Sequence, residues 1–489
     1  MALTIPELFE AAVAEVPDKP WLLHEDEAFT YAQARARIGR AAGALAELGV
    51  GPGERLLATA RNRPEYLLTW LAAMYLGAIH VAVDPRSTAS ELAGLVGQVE
   101  PKLVVNDDNV DGLFTGAAPP LEGPGPARPD DPAVLIPTSG TTGRSKLVTQ
   151  TQRAYAMAGE GFPWWIELTP DDRLMTSLPL FHINAPAYSV LGSVAARASL
   201  VLLPGFSAGT FIDSARRYGA TEFNAIGAML EILMRQPERA DDADNPLRLC
   251  YTGPSPTEER QLEIERRFGL RIVCGYAMSE TPYGTVWARG TRPYGTLGSI
   301  RQHPTLGEVN QGRVMRDDRE VAGGEVGELE LRNPAVMRGY WGMPEETSRV
   351  LREDGWLRTG DLVRDNGDGT LTFVGREKEV IRRRGENVAP AEIEEVLMSH
   401  PDVLEAAAVG VPSELSEEDI KAFVVLRDAA GTDLPGIRAW AGERLTRFKV
   451  PRYVEAVADL PHTPTGRVAK HRLEHDRTAD EIDFEKGAR

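Results

Sequence analysis

The chain has 489 residues, more than one ordinary hydrophobic core accommodates, which implies two or more structural units. Its 42% apolar and 26% charged residues are those of a globular protein, and no run approaches the roughly 18 consecutive apolar residues of a membrane span. A net charge of −18, spread along the chain, argues against a general nucleic-acid or anionic-membrane surface.

The first segment, MALTIPELFEAAVAEVPDKP (1–20), has early acidic residues and no signal-type apolar centre. It reads as a surface helix, and the plain expectation is a cytoplasmic protein. Residues 31–50 carry an apolar stripe at helical spacing and stop at Gly49 and Gly51. A strand is predicted over 55–60, a helix over 65–77 and a strand over 80–85. Repeated strand–helix units imply a mostly parallel, doubly wound α/β sheet. The stretch 115–132, rich in Pro, Gly and Ala, reads as a loop or subdomain joint. Alternation resumes over 200–331, where Cys250 and Cys274 sit in apolar runs and read as small buried hydrophobes. DNGDGT (365–370) reads as a hairpin turn, and a compact αβ unit follows from Gly385. The expected organisation is a large domain over 1–375, a hinge at 376–378 and a small mobile α+β domain over 379–489. His471 and His475 are helically spaced but no further ligand follows, so a solvated face is the reading for them.

The strongest local signal is IPTSGTTGRSK (136–146), directly after an apolar strand pattern. Glycines permit close backbone approach, hydroxyls and N–H groups offer donors to phosphate oxygens, and Lys146 adds positive charge. The spacing is not that of a Walker A loop. Taken alone, such a run is equally a flexible surface loop.

This loop does not stand alone. PTSGTTGRSK resembles the phosphate loop of the adenylate-forming superfamily, which includes acyl-CoA synthetases, adenylation domains and firefly luciferase. GYAMSE (275–280), GWLRTGDL (355–362), FVGREKEVIRRRGENVAPAEIE (373–394) and PTGRVAK (464–470) resemble its later motifs, in family order across essentially the whole chain. The overall character is most similar to crotonobetaine/carnitine-CoA-ligase-like acyl-CoA synthetases.

The resemblance implies a role for each matching residue. Thr138, Ser139, Gly140, Thr141, Thr142, Gly143 and Lys146 would hold the β- and γ-phosphates of ATP. Glu280 would ligate Mg2+, a hard ion suited to carboxylate oxygens. Ser279 would contact phosphate, Tyr276 would stack on adenine, and Ser255 would lie beside it. Asp361 would accept from the ribose hydroxyls with help from Arg376. Lys470 would bridge the α-phosphate and the attacking carboxylate, where preorganised charge helps two anions meet. His182 matches the gate to the acyl site, with Asn184, Asn224, Tyr251 and Ala277 lining the pocket. Lys378 would be the pivot about which the small domain turns between half-reactions. Arg382, Arg384, Gly385 and Glu386 would face the thiol substrate, with Arg383 adding to a basic patch for CoA phosphates or an acidic carrier-protein helix.

Each residue has a plainer alternative when read singly. Glu280 reads as a surface acid, Asp361 as a cap or turn residue, Lys470 as a solvated lysine and the pocket residues as core packing. The departures from the family pattern are Ser145, Leu147, Ala277, Ser279 and Arg384, and none removes a charged catalytic group. The expected activity is ATP-dependent activation of a small carboxylic acid, then transfer to a thiol, with CoA as acceptor. A carrier-protein phosphopantetheine or a non-thiol nucleophile is the alternative acceptor. Asn184 stands where amino-acid-activating relatives place an Asp, so an uncharged or neutral-polar acid is expected. Neither nucleic acid nor a membrane span enters the expectation.

Overall fold

The computed structural model describes all residues except 1–3, 139–144, 254, 322, 384–385, 414–417, 428–432, 464–467, 474, 476–477, 479 and 485–489. The chain divides into two compact units. The first comprises 1–313 and 330–358, the second 314–329 and 359–489.

Two sheets organise the first unit. The smaller has five strands in the order Leu103–Asn106, Arg55–Thr59, Ile79–Ala82, Pro132–Thr138, Lys146–Thr151. Its first three pairings are parallel, and the last is an antiparallel hairpin. The larger has nine strands, running from Ser299–Ile300 at one edge through Thr281–Val286, Arg271–Met278, Leu249–Thr252, Glu222–Asn224, Arg173–Thr176 and Ser199–Leu202 to Pro20–His24 and Glu27–Thr30. Its centre is parallel and its edges are antiparallel. Parallel strands are covered on both faces, which explains why they read in the sequence as short unbroken apolar runs. The Cys250 and Cys274 strands are such runs. Burial pushes the Cys250 thiol well up and the Cys274 thiol up to about 12, so neither is a nucleophile at neutral pH.

The predicted helices appear at Tyr31–Glu47 and Pro64–Leu76, and the predicted strands at Arg55–Thr59 and Ile79–Ala82. Thr30 caps the first helix in a reciprocal capping box with Gln33. Gly77 ends the second in a left-handed conformation (φ 69°) that a side chain would strain. The N-terminal helix, Ile5–Glu15, is not merely a surface element: Ile5, Leu8, Phe9 and Ala12 form a buried stripe in the main core. Residues 116–131 hold no helix or strand, in keeping with their composition.

In the second unit, Leu357–Asp365 and Leu371–Arg376 form an antiparallel hairpin whose turn is the Asn/Gly/Asp run read from the sequence. A four-stranded sheet follows, ordered Val403–Pro412, Glu418–Leu426, Tyr453–Val457, Ile482–Asp483. The helices Pro390–Met398 and Leu434–Arg444 pack Ile393, Leu397, Ile437 and Ala441 into its core. No helix among the described residues is long and apolar enough to cross a membrane.

Candidate active site

The glycine- and threonine-rich loop connects two antiparallel strands rather than a strand and a helix. Thr138 and Lys146 face each other where the hairpin opens, and the Thr138 hydroxyl donates to the Lys146 carbonyl at 3.1 Å. Ser139, Gly140, Thr141, Thr142 and Gly143 lie outside the described residues. Lys146 is ion-paired with Glu346, and its ammonium stands 5.1 Å from the centre of the Tyr340 ring. The Tyr340 hydroxyl donates to Glu280 Oε1 at 3.0 Å. Burial, reinforced by the Glu280 carboxylate, pushes that phenol's pKa up, so it remains a donor. One aromatic ring thus joins the loop lysine to the acid expected to hold the metal.

Backbone bonds fix this arrangement. Met337 N–H donates to the Glu280 carbonyl at 2.8 Å, and Thr149 N–H donates to Gly339 at 2.9 Å. Trp341 N–H donates to Leu147 at 2.8 Å. Gln150 donates to the Ser279 carbonyl at 2.7 Å. The segment 337–341 is therefore tied to both the loop hairpin and the GYAMSE motif. Tyr340 and Glu346 belong to none of the motifs above, and their signal in the sequence is RGYWGMPEE (338–346), a run of aromatic, Gly, Pro and acidic residues. Tyr276 and Ala277 are half-buried on the strand Arg271–Met278. The Ser255 hydroxyl donates to the Pro256 carbonyl at 3.1 Å.

His182 is half-buried beside Phe181, with ring centres 4.6 Å apart. Asn184 precedes a π-helical turn over Ala185–Val190, a widened geometry that recurs at functional sites. Asn224 Nδ2 donates to Asn184 Oδ1 at 2.8 Å, and Asn224 is in register with Tyr251 on the next parallel strand. The structure therefore brings Asn184, Asn224 and Tyr251 together.

In the second unit, Asp361 and Arg376 are direct cross-strand partners, joined by an ion pair at 3.0 Å. Asp361 is buried while Arg376 is exposed, an arrangement in which the arginine orients the acid. Lys470 pairs with Glu394 at 2.7 Å and Glu379 at 3.1 Å. Burial works against its charge, but the two carboxylates outweigh it and hold its pKa above the ordinary lysine value. Lys378 is exposed in a short turn, Glu377–Glu379.

The expected basic patch needs correction. Arg382 is exposed, but Arg383 is buried, pairing with Asp419 at 3.1 Å and donating to the Phe448 and Val450 carbonyls at 3.1 and 2.7 Å. Both residues lie on the strand Ile381–Arg383, where successive side chains alternate between faces. Arg384 and Gly385 lie outside the described residues, and Glu386 is described only by its backbone, paired with Arg383.

A mostly parallel α/β unit in which Tyr340 joins Lys146 to Glu280, followed by a smaller α+β unit, has the features of a nucleotide-dependent ligase. Comparison with known proteins narrows this class. The chain belongs to the AMP-binding enzyme family: residues 9–341 match the AMP-binding enzyme and residues 392–467 the AMP-binding enzyme C-terminal domain. It is 32% identical to a sulfoacetate–CoA ligase of Cupriavidus necator, over 96% of this chain and 99% of that one. It is 30% identical to a crotonobetaine/carnitine–CoA ligase of Salmonella agona, over 91% and 93%. ATP-bound MatB from Rhodopseudomonas palustris superposes with a TM-score of 0.86 at 27% identity, over 96% and 98%. The o-succinylbenzoate CoA synthetase of Bacillus subtilis in complex with AMP gives 0.86 at 26%, with the same coverage. The protein is an enzyme of the AMP-forming acid–thiol ligase class.

Proposed function

We propose that the protein joins a small carboxylic acid to CoA in two steps. In the first, a carboxylate oxygen attacks the α-phosphorus of ATP; the bond to the bridging oxygen breaks, giving acyl-AMP and pyrophosphate. In the second, the CoA sulfur, having lost its proton, attacks the acyl carbon, and the acyl–oxygen bond breaks to release AMP and the thioester. The observation that carries this reading is the Lys146–Tyr340–Glu280 assembly at the mouth of the loop hairpin. A cation and a carboxylate held against one ring support the binding of a polyphosphate with its metal ion there.

The residue roles follow from the same reading. Lys146 and the loop bind the terminal phosphates, Ser279 contacts them, and Tyr276 and Ser255 flank the adenine. Glu280 offers the hard oxygen donor that Mg2+ requires, and its carboxylate fits that ion. When bound, Mg2+ supplies positive charge to the phosphates. Asp361, oriented by Arg376, holds the ribose. Lys470, held by Glu379 and Glu394, bridges the α-phosphate and the reacting carboxylate, and Lys378, in a hinge at 376–378 between domains over 1–375 and 379–489, is the proposed pivot between half-reactions. His182 gates the acyl site, and Asn184, Asn224, Tyr251 and Ala277 line it. Arg382, Arg384, Gly385 and Glu386 serve the thiol substrate. The relatives' CoA activities support CoA as acceptor.

Acid-dependent exchange of labelled pyrophosphate into ATP tests the first step, and thioester formation on adding CoA tests the second. Exchange without thioester transfers the second role to a carrier-protein thiol or another nucleophile. Absence of exchange with every acid removes the reading.

A further inference from the structure

Arg301 lies in a run, GSIRQH (298–303), outside every motif named above, yet its side chain is wholly inside the first unit, 1% exposed. Its guanidinium donates to the Thr285 carbonyl (3.0 and 2.6 Å), the Pro282 carbonyl (3.4 Å), the Tyr276 carbonyl (3.4 Å) and the hydroxyls of Tyr188 (3.1 Å) and Tyr251 (2.6 Å). It also lies 4.4 Å from the centre of the Trp165 ring. Every one of these acceptors is neutral. The other large buried arginine, Arg383, has Asp419 beside it. Arg301 has no ion pair with any carboxylate among the described residues, so its positive charge is uncompensated in a low-dielectric setting.

The two phenols that touch it differ. Tyr188 accepts from Arg301 and donates its own proton to the Pro282 carbonyl at 2.6 Å. Tyr251 also accepts from Arg301, but its hydroxyl proton is donated to no described residue, although the side chain is buried. A buried hydroxyl ordinarily finds an acceptor. Beside it, on the same face of the sheet, Asn224 is 1% exposed and its Oδ1 has no partner. A half-turn of both amides would keep the Asn224–Asn184 hydrogen bond and leave a donor in place of that acceptor. The phenol and the amide are independent observations, and both leave hydrogen-bonding capacity for something the protein does not supply.

The position of this cluster along the strand gives the direction. Arg301 and Tyr251 meet the strand Arg271–Met278 at Gly275, where a Cβ would lie 2.7 Å from the Tyr251 hydroxyl and 2.8 Å from the guanidinium. Only glycine leaves them that space. Tyr251 lies in register with Asn224, which bonds Asn184, whereas Ser279 and Glu280 occupy the turn that follows the strand. The phenol is thus grouped with the residues assigned to the acyl site.

We propose that Tyr251, backed by Arg301, is the specificity element of the acyl site, and that the acid activated here carries an oxyanion at the end away from its reacting carboxyl group. The proposal rests on the acid-activation reading above, and it replaces the neutral-polar acid expected from Asn184 alone. The phenol donates to the oxyanion, the guanidinium strengthens that donor, and its charge complements the ligand's. A distal quaternary ammonium meets the same charge as repulsion. A buried charge of this kind favours an anionic ligand over its neutral isostere on the order of tenfold or more. Sulfonate and carboxylate share the required chemistry.

The test measures acid-dependent pyrophosphate release by the full chain with Mg-ATP. It uses 3-sulfopropanoate against 3-(methylsulfonyl)propanoate, succinate against its monomethyl ester, and the homologues of each one methylene shorter. The wild type should favour the anionic member of at least one pair at least tenfold in kcat/KM, and that pair identifies the group. Arg301→Met, which removes the charge, should collapse the preference to near unity, mainly through KM for the anionic acid, while Tyr251→Phe and Arg301→Lys, which keep the charge, should each retain only part of it. The preference is a ratio within each protein, so a general loss of activity or stability leaves it unmoved. Equal use of both members by the wild type overturns the proposal, as does a preference that Tyr251→Phe leaves undiminished or that survives Arg301→Met. Activation of other acids but none of this panel overturns it too, with acid activation intact. Pyrophosphate release with no acid at all instead removes the underlying reading, and the proposal falls with it.

Discussion

Lys470→Ala separates the two half-reactions. The side chain is 17% exposed, and its ammonium sits between two carboxylates, 2.7 Å from Glu394 and 3.1 Å from Glu379. It is therefore a charged group held in place, not a freely solvated lysine. In adenylation its loss removes one preorganised charge from a transition state in which two anions meet, which costs roughly 10²–10³ in rate, or about 2.7–4 kcal/mol. Alanine also leaves Glu394, a half-buried acid, without its cation, at a cost of roughly 1–3 kcal/mol of stability. That cost lowers Tm by several degrees without unfolding the protein at 25 °C. Pyrophosphate exchange reads the first step, and thioester formation from preformed acyl-adenylate reads the second. The first should fall by two to three orders of magnitude while the second stays within a few-fold. Equal losses in both would refute the assignment and make Lys470 a structural anchor for Glu379 and Glu394.

Three further substitutions test other parts of the account. Glu280→Gln should raise the Mg2+ concentration needed for half-maximal exchange at least about tenfold; an unchanged requirement removes Glu280 from the metal site. Arg383→Ala leaves buried Asp419 with Arg452, 2.8 Å away, as its remaining cation and strips the Phe448 and Val450 carbonyls of a donor, so it should cost about 1–3 kcal/mol, seen as a drop in Tm of several degrees; no change would mean that the arginine is exposed in solution. Glu222 is wholly buried with neither carboxylate oxygen hydrogen-bonded, and burial, then the nearby Asp172, pushes its pKa well above the ordinary 4.5. A carboxyl raised in the fold contributes stability below its unfolded pKa, and that contribution is lost as pH rises toward the folded value. Glu222→Gln, which cannot ionise, should therefore raise Tm relative to wild type at pH 8, by an amount that shrinks toward pH 5. A pH-independent difference would mean that Glu222 does not titrate with folding.

Much of the fold was legible because it depends on local periodicity. The helices Tyr31–Glu47 and Pro64–Leu76 and the strands Arg55–Thr59 and Ile79–Ala82 follow from apolar spacing and from Gly and Pro punctuation. The loop chemistry at 136–146 was equally visible, but not that it closes a hairpin, since Lys146–Thr151 reads as well as the start of a helix. What escaped depends on contacts between distant residues. Tyr340 meets Glu280 across 60 positions, and Glu346 meets Lys146 across 200. Arg301 reads as a surface residue until Tyr188, 113 positions away, and Tyr251, 50 away, fold around it. Arg383 is a smaller lesson. Alternation along a short strand separates it from Arg382, and a period-two reading of IRR would have divided the basic patch.

The most direct test of the central claim is to incubate the protein with Mg-ATP and a pooled carboxylic-acid library, with and without CoA, and to identify the products by mass spectrometry. The account predicts AMP formed only in the presence of acid, together with the mass of one acyl-CoA. Acyl-adenylate with CoA untouched would contradict the assignment of CoA as acceptor, and ATP consumed without any acyl product would contradict acid activation itself.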